Sequence, residues 1–131
     1  MTENRTRILL ADDDPAVQRA VRHVAAQRGH ELVEVTKSSL LLRTVLLSTP
    51  DLIVLDVTFP DADGRDLLAQ LKADERTKAI PVLVWSAHHD RESESRIALS
   101  LGAEDYVEKS DAQLLMTKIE RVLLRINQPA A

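Results

Sequence analysis

The stretch Asp51-Leu52-Ile53-Val54-Leu55-Asp56-Val57-Thr58-Phe59-Pro60-Asp61-Ala62-Asp63-Gly64 decides how this chain folds. Its opening residues form a nearly unbroken apolar run, which suits a strand covered on both faces of a parallel sheet; a half-exposed strand would alternate. Asp56 follows the run directly, where the strand would leave the sheet. In open α/β sheets, ligands bind at those carboxyl ends. Pro60 and the Asp63-Gly64 pair then predict a sharp turn that restarts as a helix, with Leu67, Leu68 and Leu71 facing inward.

The same design repeats on either side. Thr6 to Ala11 reads as a first buried strand, ending in Asp12-Asp13-Asp14-Pro15. Asp14 is a good N-cap and Pro15 a good first helical residue, so a helix is expected to about Arg28, with Val17, Val21, Val24 and Ala25 on one face and Gly29 closing it. Glu31 to Val35 is a short second strand. A helix capped by Ser38 or Ser39 follows through Leu41, Val45 and Leu46 until Pro50. Beyond the central strand and its helix, Pro81 to Trp85 forms a fourth strand ending in Ser86-Ala87-His88-His89. The segment from Asp90 to Arg96 offers no apolar residue before Ile97, Ala98 and Leu101, so a fourth helix there is weakly anchored. Glu104 to Val107 is a short fifth strand followed by Lys109, and a last helix starts near Asp111 with Leu115, Ile119, Val122 and Ile126 spaced for one face. Strict strand–helix alternation with right-handed crossovers predicts an α/β, doubly wound, five-stranded parallel sheet with five helices, in strand order 2-1-3-4-5. The whole chain, residues 1–131, is expected to be one domain, with its core at about 6–126 and a tail over 127–131.

Composition fits a globular domain and excludes several function classes. With 131 residues, roughly two thirds of the unfolded surface can be buried. The 44% hydrophobic and 29% charged content is ordinary, and the scarcity of aromatics makes the core aliphatic. The absence of cysteine excludes disulfides, thiolate metal sites and thiol chemistry. A net charge of −4 argues against direct binding to nucleic acid by this domain, which calls for a basic face. No apolar run approaches the ~20 residues of a membrane span, and the first residues lack a signal-peptide core. No membrane association is expected, and the localisation expected is cytoplasmic.

In strand order 2-1-3-4-5 the first and third strands are neighbours at the switch point, which brings Asp12 and Asp13 beside Asp56. Carboxylates so gathered repel one another unless a cation or proton intervenes, and an oxygen-only cluster with room for water suits Mg²⁺. Ser86 and Lys109 add a hydroxyl donor and a fixed positive charge from the next two strand ends. Metal, carboxylate, hydroxyl and ammonium together describe a site for phosphoryl transfer.

These residues resemble the receiver domain of two-component response regulators, a flavodoxin-like, CheY-like domain, over nearly the whole chain. The resemblance rests on Asp12-Asp13 after the first strand, Asp56-x-x-Phe59-Pro60-x-x-Asp63-Gly64, Ser86-Ala87 after the fourth, and Tyr106-x-x-Lys109. It implies a phosphorylation-dependent signalling switch, not an enzyme, although the domain assists its own phosphorylation and dephosphorylation. Asp56 would be the phosphoacceptor, taking a phosphoryl group from the phosphohistidine of a sensor histidine kinase or phosphotransfer protein. Mg²⁺ would be held by Asp13 directly, by Asp12 largely through water, by Asp56, and by the backbone carbonyl of Thr58. Ser86 and Lys109 would bind the phosphoryl group, with Ser86 and Tyr106 acting as the switch, and Thr58 and His88 would tune dephosphorylation. The surface of the fourth helix, fifth strand and last helix would then control a downstream protein or effector domain, or form a homodimer. Two positions depart from the family: Phe59 stands where Met is usual, and Ser110 where Pro usually follows the lysine.

Plainer readings stand beside these. Asp14 is a helix cap, His88-His89 a solvated loop, and Trp85 a partly buried packing residue. The alternative function is a pseudo-receiver that is never phosphorylated and serves as a protein-binding module. A metal-dependent hydrolase with a phosphoaspartate intermediate needs an acid where Thr58 stands. Nothing resembling an effector domain follows Ile126, so the chain is expected to be a stand-alone regulator or a part of a longer one.

Overall fold

The structure is a computed structural model that describes residues 5–87, 91–109 and 111–127, the side chains of 91–94 excepted. His88 and Ser110 lie outside the described residues. The central apolar run forms strand β3 (Leu52–Asp56), buried at every position. It pairs in parallel with β1 (Arg7–Ala11) on one side and β4 (Val82–Ser86) on the other. β2 (Glu31–Val35) and β5 (Asp105–Glu108) complete a five-stranded sheet in the order β2-β1-β3-β4-β5, as the alternation predicts.

Helices α1 (Pro15–Gln27), α2 (Leu41–Ser48), α3 (Gly64–Ala73), α4 (Arg91–Ser100) and α5 (Ala112–Ile126) connect the strands. Successive strand side chains point to opposite faces, so each strand feeds two cores. Leu9, Ile53, Leu55, Val82 and Val84 pack with Val45, Leu68 and Ala98 on the side of α2, α3 and α4. Ile8, Leu10, Val54, Leu83 and Trp85 pack with Val21, Leu115 and Ile119 on the side of α1 and α5. Each such aliphatic side chain contributes about 1.5–3 kcal/mol when fully buried. This is why continuous apolar runs, not alternating ones, encode the central strands. Among the described residues, no helix is long and apolar enough to cross a membrane.

Asp14 caps α1 as expected, accepting a hydrogen bond from the Ala16 N–H at 2.9 Å. Asp63 and Asp111 do the same for α3 and α5. The expected serine cap of α2 is not made. Ser38 and Ser39 lie inside a 3₁₀ turn (Ser38–Leu40) that leads into α2, and neither turn nor helix has a side-chain cap. Thr49, at φ 45°, ends that helix just before Pro50. Ile126 is also exposed where a buried position was expected, because α5 runs past the core, whose last buried residue on this helix is Val122. The loop after Asp56 contains an antiparallel ribbon of Thr58–Phe59 with Ala62–Asp63, too short to have a sequence signal.

At the opposite end of the sheet, α1 and α5 are tied together electrostatically. The Arg28 guanidinium and the His30 ring meet the two oxygens of Glu120 at 2.9 and 2.8 Å. Burial alone would raise the Glu120 carboxyl, but His30 and Arg28 outweigh it and hold it below the usual glutamate range.

Candidate functional site

Parallel strands deliver their carboxyl ends to one edge, and four of them bring polar groups singled out in the sequence to it. Asp12 and Asp13 extend β1, Asp56 ends β3, Ser86 ends β4, and Lys109 follows β5. Oxygens of Asp12, Asp13 and Asp56 lie within 4.8 Å of one another. Asp12 and Asp56 are buried and Asp13 is exposed, so the cluster opens to solvent on the Asp13 side.

Each buried carboxylate is held on both oxygens. Asp12 Oδ1 accepts from the Asp14 N–H at 2.9 Å, and its Oδ2 meets the Lys109 ammonium at 2.7 Å. Asp56 Oδ1 accepts from the Thr58 N–H at 2.9 Å and from the Thr58 hydroxyl at 2.8 Å. Its Oδ2 accepts from Lys109 Nζ at 3.2 Å. The Lys109 N–H donates to the Ser86 carbonyl at 2.8 Å, which fixes the lysine relative to β4. The backbone beneath Asp12 is fixed too: its N–H donates to Val35 and its carbonyl accepts from the Gln18 amide at 2.8 Å.

Burial pushes the Asp12 carboxyl above its ordinary value, and the Asp56 charge adds to this; the Lys109 and Asp14 donors offset only part. Burial disfavours the Lys109 ammonium, yet the hydrogen bond to Asp12 and the charges of Asp56 and Asp12 outweigh it and raise the lysine. The site is thus negative overall around one cation. Its donors are all oxygen, the set that hard divalent cations take, and one exposed carboxylate leaves room for retained water; the residues fit Mg²⁺.

The sequence grouped Asp12, Asp13, Asp56 and Lys109 correctly in space. Ser86 is fully buried at the same edge. Tyr106 is half-buried against the α2–α4 core, and its buried hydroxyl has no hydrogen-bond partner among the described residues. Sequence reasoning missed three supports. Gln18 is buried on α1 and clamps the β1 end. The Thr58 side chain engages Asp56. Trp85, expected to be partly buried, is only 2% exposed, and its indole N–H donates to Asp12 Oδ2 at 3.4 Å. A period of two along β4 places Trp85 and Ser86 on opposite faces, a signal that was available.

Comparison with known proteins agrees with this geometry. A family model described as the response regulator receiver domain matches residues 8–120. The chain is similar to the transcriptional regulatory protein KdpE of Mycobacterium tuberculosis, with 36% identity over 104 residues, covering 79% of this chain and 44% of that protein. It is similar also to the phosphate regulon transcriptional regulatory protein PhoB of Escherichia coli, with 31% identity over 125 residues, covering 95% of this chain and 54% of PhoB. The chain therefore spans about half the length of these curated relatives. Among solved structures, a putative response regulator from Chloroflexus aurantiacus superposes with a TM-score of 0.84 at 27% identity, covering 93% of this chain and all of that one. The receiver domain of the Francisella response regulator 1452 shares the fold, with a TM-score of 0.84 at 23% identity, covering 94% of this chain.

Proposed function

This chain belongs to the response regulator receiver domain family of two-component signalling, and from that premise we propose that it is a switch phosphorylated on Asp56. The observation that carries the reading is the setting of Asp56: a buried carboxylate at a strand end, between the Thr58 donors and Lys109, within reach of two further carboxylates. A partner histidine kinase or phosphotransfer protein supplies phosphohistidine. An Asp56 oxygen attacks phosphorus, the P–N bond breaks, and the imidazole leaves with that electron pair and regains a proton. Asp12, Asp13, Asp56 and the Thr58 carbonyl would hold Mg²⁺, which when bound neutralises charge on the phosphoryl oxygens.

Lys109 turns from carboxylate to phosphoryl oxygen, and the Ser86 hydroxyl donates to another. With Ser86 so engaged, Tyr106 moves inward and the faces of α4, β5 and α5 change, which alters a downstream protein, an effector domain or a second copy. Among the described residues, the Tyr106 hydroxyl has no hydrogen-bond partner to lose on moving. The domain supplies the site for gain and loss of its own phosphoryl group and is not otherwise an enzyme. The relatives' role in transcription makes a transcriptional effector one natural output.

Incubation with a small-molecule phosphodonor, followed by intact mass, tests the reading. One phosphoryl group is expected with Mg²⁺ and none after chelation; no gain in either condition would favour the binding-module alternative. The Thr58 hydroxyl bond to Asp56 Oδ1 withdraws charge from the attacking carboxylate. Its loss in Thr58→Ala is expected to speed phosphorylation by about fivefold, the rate equivalent of one hydrogen bond of ~1 kcal/mol. Stopped mass sampling gives the rate, and equal rates in the two proteins would contradict a role for that bond.

A further inference from the structure

Trp85 is the single tryptophan of the chain, and it touches both members of the ion pair that the acidic cluster is built on. Its indole N–H lies 3.4 Å from Asp12 Oδ2. The Lys109 ammonium, bound to that same oxygen at 2.7 Å, stands 5.5 Å from the centroid of the Trp85 ring. That is within the range at which a ring face attracts a cation. The strand register makes this contact possible: Trp85 pairs with Asp56 on one side and with Val107, two residues before Lys109, on the other. Leu83, Leu115 and Met116 belong to the same buried apolar cluster as Trp85. No donor or charge is required of a residue that only fills that core, and Leu or Phe would serve.

The distances within the site are unequal. Lys109 is closer to Asp12, at 2.7 Å, than to Asp56, at 3.2 Å. Both contacts from Trp85 act in that direction, one by holding the Asp12 oxygen and the other by attracting the ammonium over the ring. We propose that Trp85 is a positioning residue that keeps Lys109 on the Asp12 side of the cluster, so that the Asp56 carboxylate stays available to metal and phosphoryl group. Without the indole, Lys109 closes on Asp56 Oδ2 and competes there with the cation. This rests on the reading of the cluster as a Mg²⁺ site.

The test is calorimetric titration of Mg²⁺ into the wild type, Trp85→Phe, Lys109→Met and the double variant. Phe keeps the apolar bulk and loses the N–H and much of the ring attraction. Trp85→Phe is expected to weaken Mg²⁺ binding by about three- to tenfold, the equivalent of one indole–cation and N–H contact. In the Lys109→Met background, which keeps every proposed Mg²⁺ ligand and removes the ammonium that Trp85 positions, the same substitution should change affinity by less than about twofold. A packing defect would instead be felt equally in both backgrounds. Unchanged affinity in Trp85→Phe, or equal weakening in both backgrounds, would overturn the inference and leave the Mg²⁺ site standing. Absence of any Mg²⁺ binding by the wild type would overturn both together. Should Trp85→Phe fail to fold, the indole N–H resonance of the wild type decides: it is expected to shift along the same Mg²⁺ titration curve, and a resonance that does not move would refute the contact.

Discussion

Lys109→Met lowers the stability of the Mg²⁺-free protein by about 2–3 kcal/mol at neutral pH and abolishes phosphorylation. Met keeps the apolar stem and removes the charge, leaving Asp12 and Asp56 without the ammonium that meets both. Breaking a fully buried ion pair costs about 3–5 kcal/mol, and the value here is lowered because the lysine is one-fifth exposed and the cluster opens to water at Asp13. The loss depends on pH with a definite sign. The Asp12 carboxyl in the folded protein already sits above its ordinary 3.8, so the folded state binds the extra proton and stability falls as pH rises from 3.8 through the raised value. Removing Lys109 raises it further and widens that window, so the variant recovers toward wild type in acid. Saturating Mg²⁺ restores stability as well, by about 2.7 kcal/mol at a hundred times its dissociation constant. Urea unfolding across pH, with and without Mg²⁺, measures the stabilities, and intact mass after phosphodonor measures the phosphorylation; a variant as stable as wild type at neutral pH without metal would contradict this role of Lys109.

Gly64→Ala unfolds the protein more readily still, by about 3 kcal/mol or more. A Cβ at Gly64 would sit 2.2 Å from the Val57 Cα, a backbone atom that no side-chain rotation relieves. The Gly64 N–H also donates to the Val57 carbonyl at 3.2 Å, so α3 starts directly against the residue after Asp56. Relief of the clash must push that backbone, which carries Asp56 and Thr58, or move α3 off the sheet. The melting temperature is expected to fall by roughly 10 °C for a domain of this size, and phosphorylation to fall with it. A variant that melts with the wild type would show that the turn relaxes freely.

Much of this could be read from residue order because the signals are strong and local. Asp51 to Asp56 could only be an interior strand, and acids directly after two apolar runs meet at the switch point of the sheet. What was hidden depended on neighbours far apart in sequence. Val17 was expected on the buried face of α1, but it is only half-buried; Gln18 is the buried residue. The carbonyl ends of β1 and β2 need a donor there, and no helical period reveals that need. Ser38 and Ser39 carry a cap signature that the 3₁₀ turn overrides. The contacts of Trp85 require three strands in register and the lysine that follows the last of them.

The most direct measurement fixes the position of the phosphoryl group. After treatment with phosphodonor and Mg²⁺, borohydride reduces an aspartyl phosphate to homoserine, and peptide mass mapping identifies the residue. Conversion is expected at Asp56 alone, in a Mg²⁺-dependent manner, and none in Asp56→Asn. Conversion at Asp12 or Asp13, or an unmodified Asp56 in folded, Mg²⁺-bound protein, would contradict phosphorylation on Asp56.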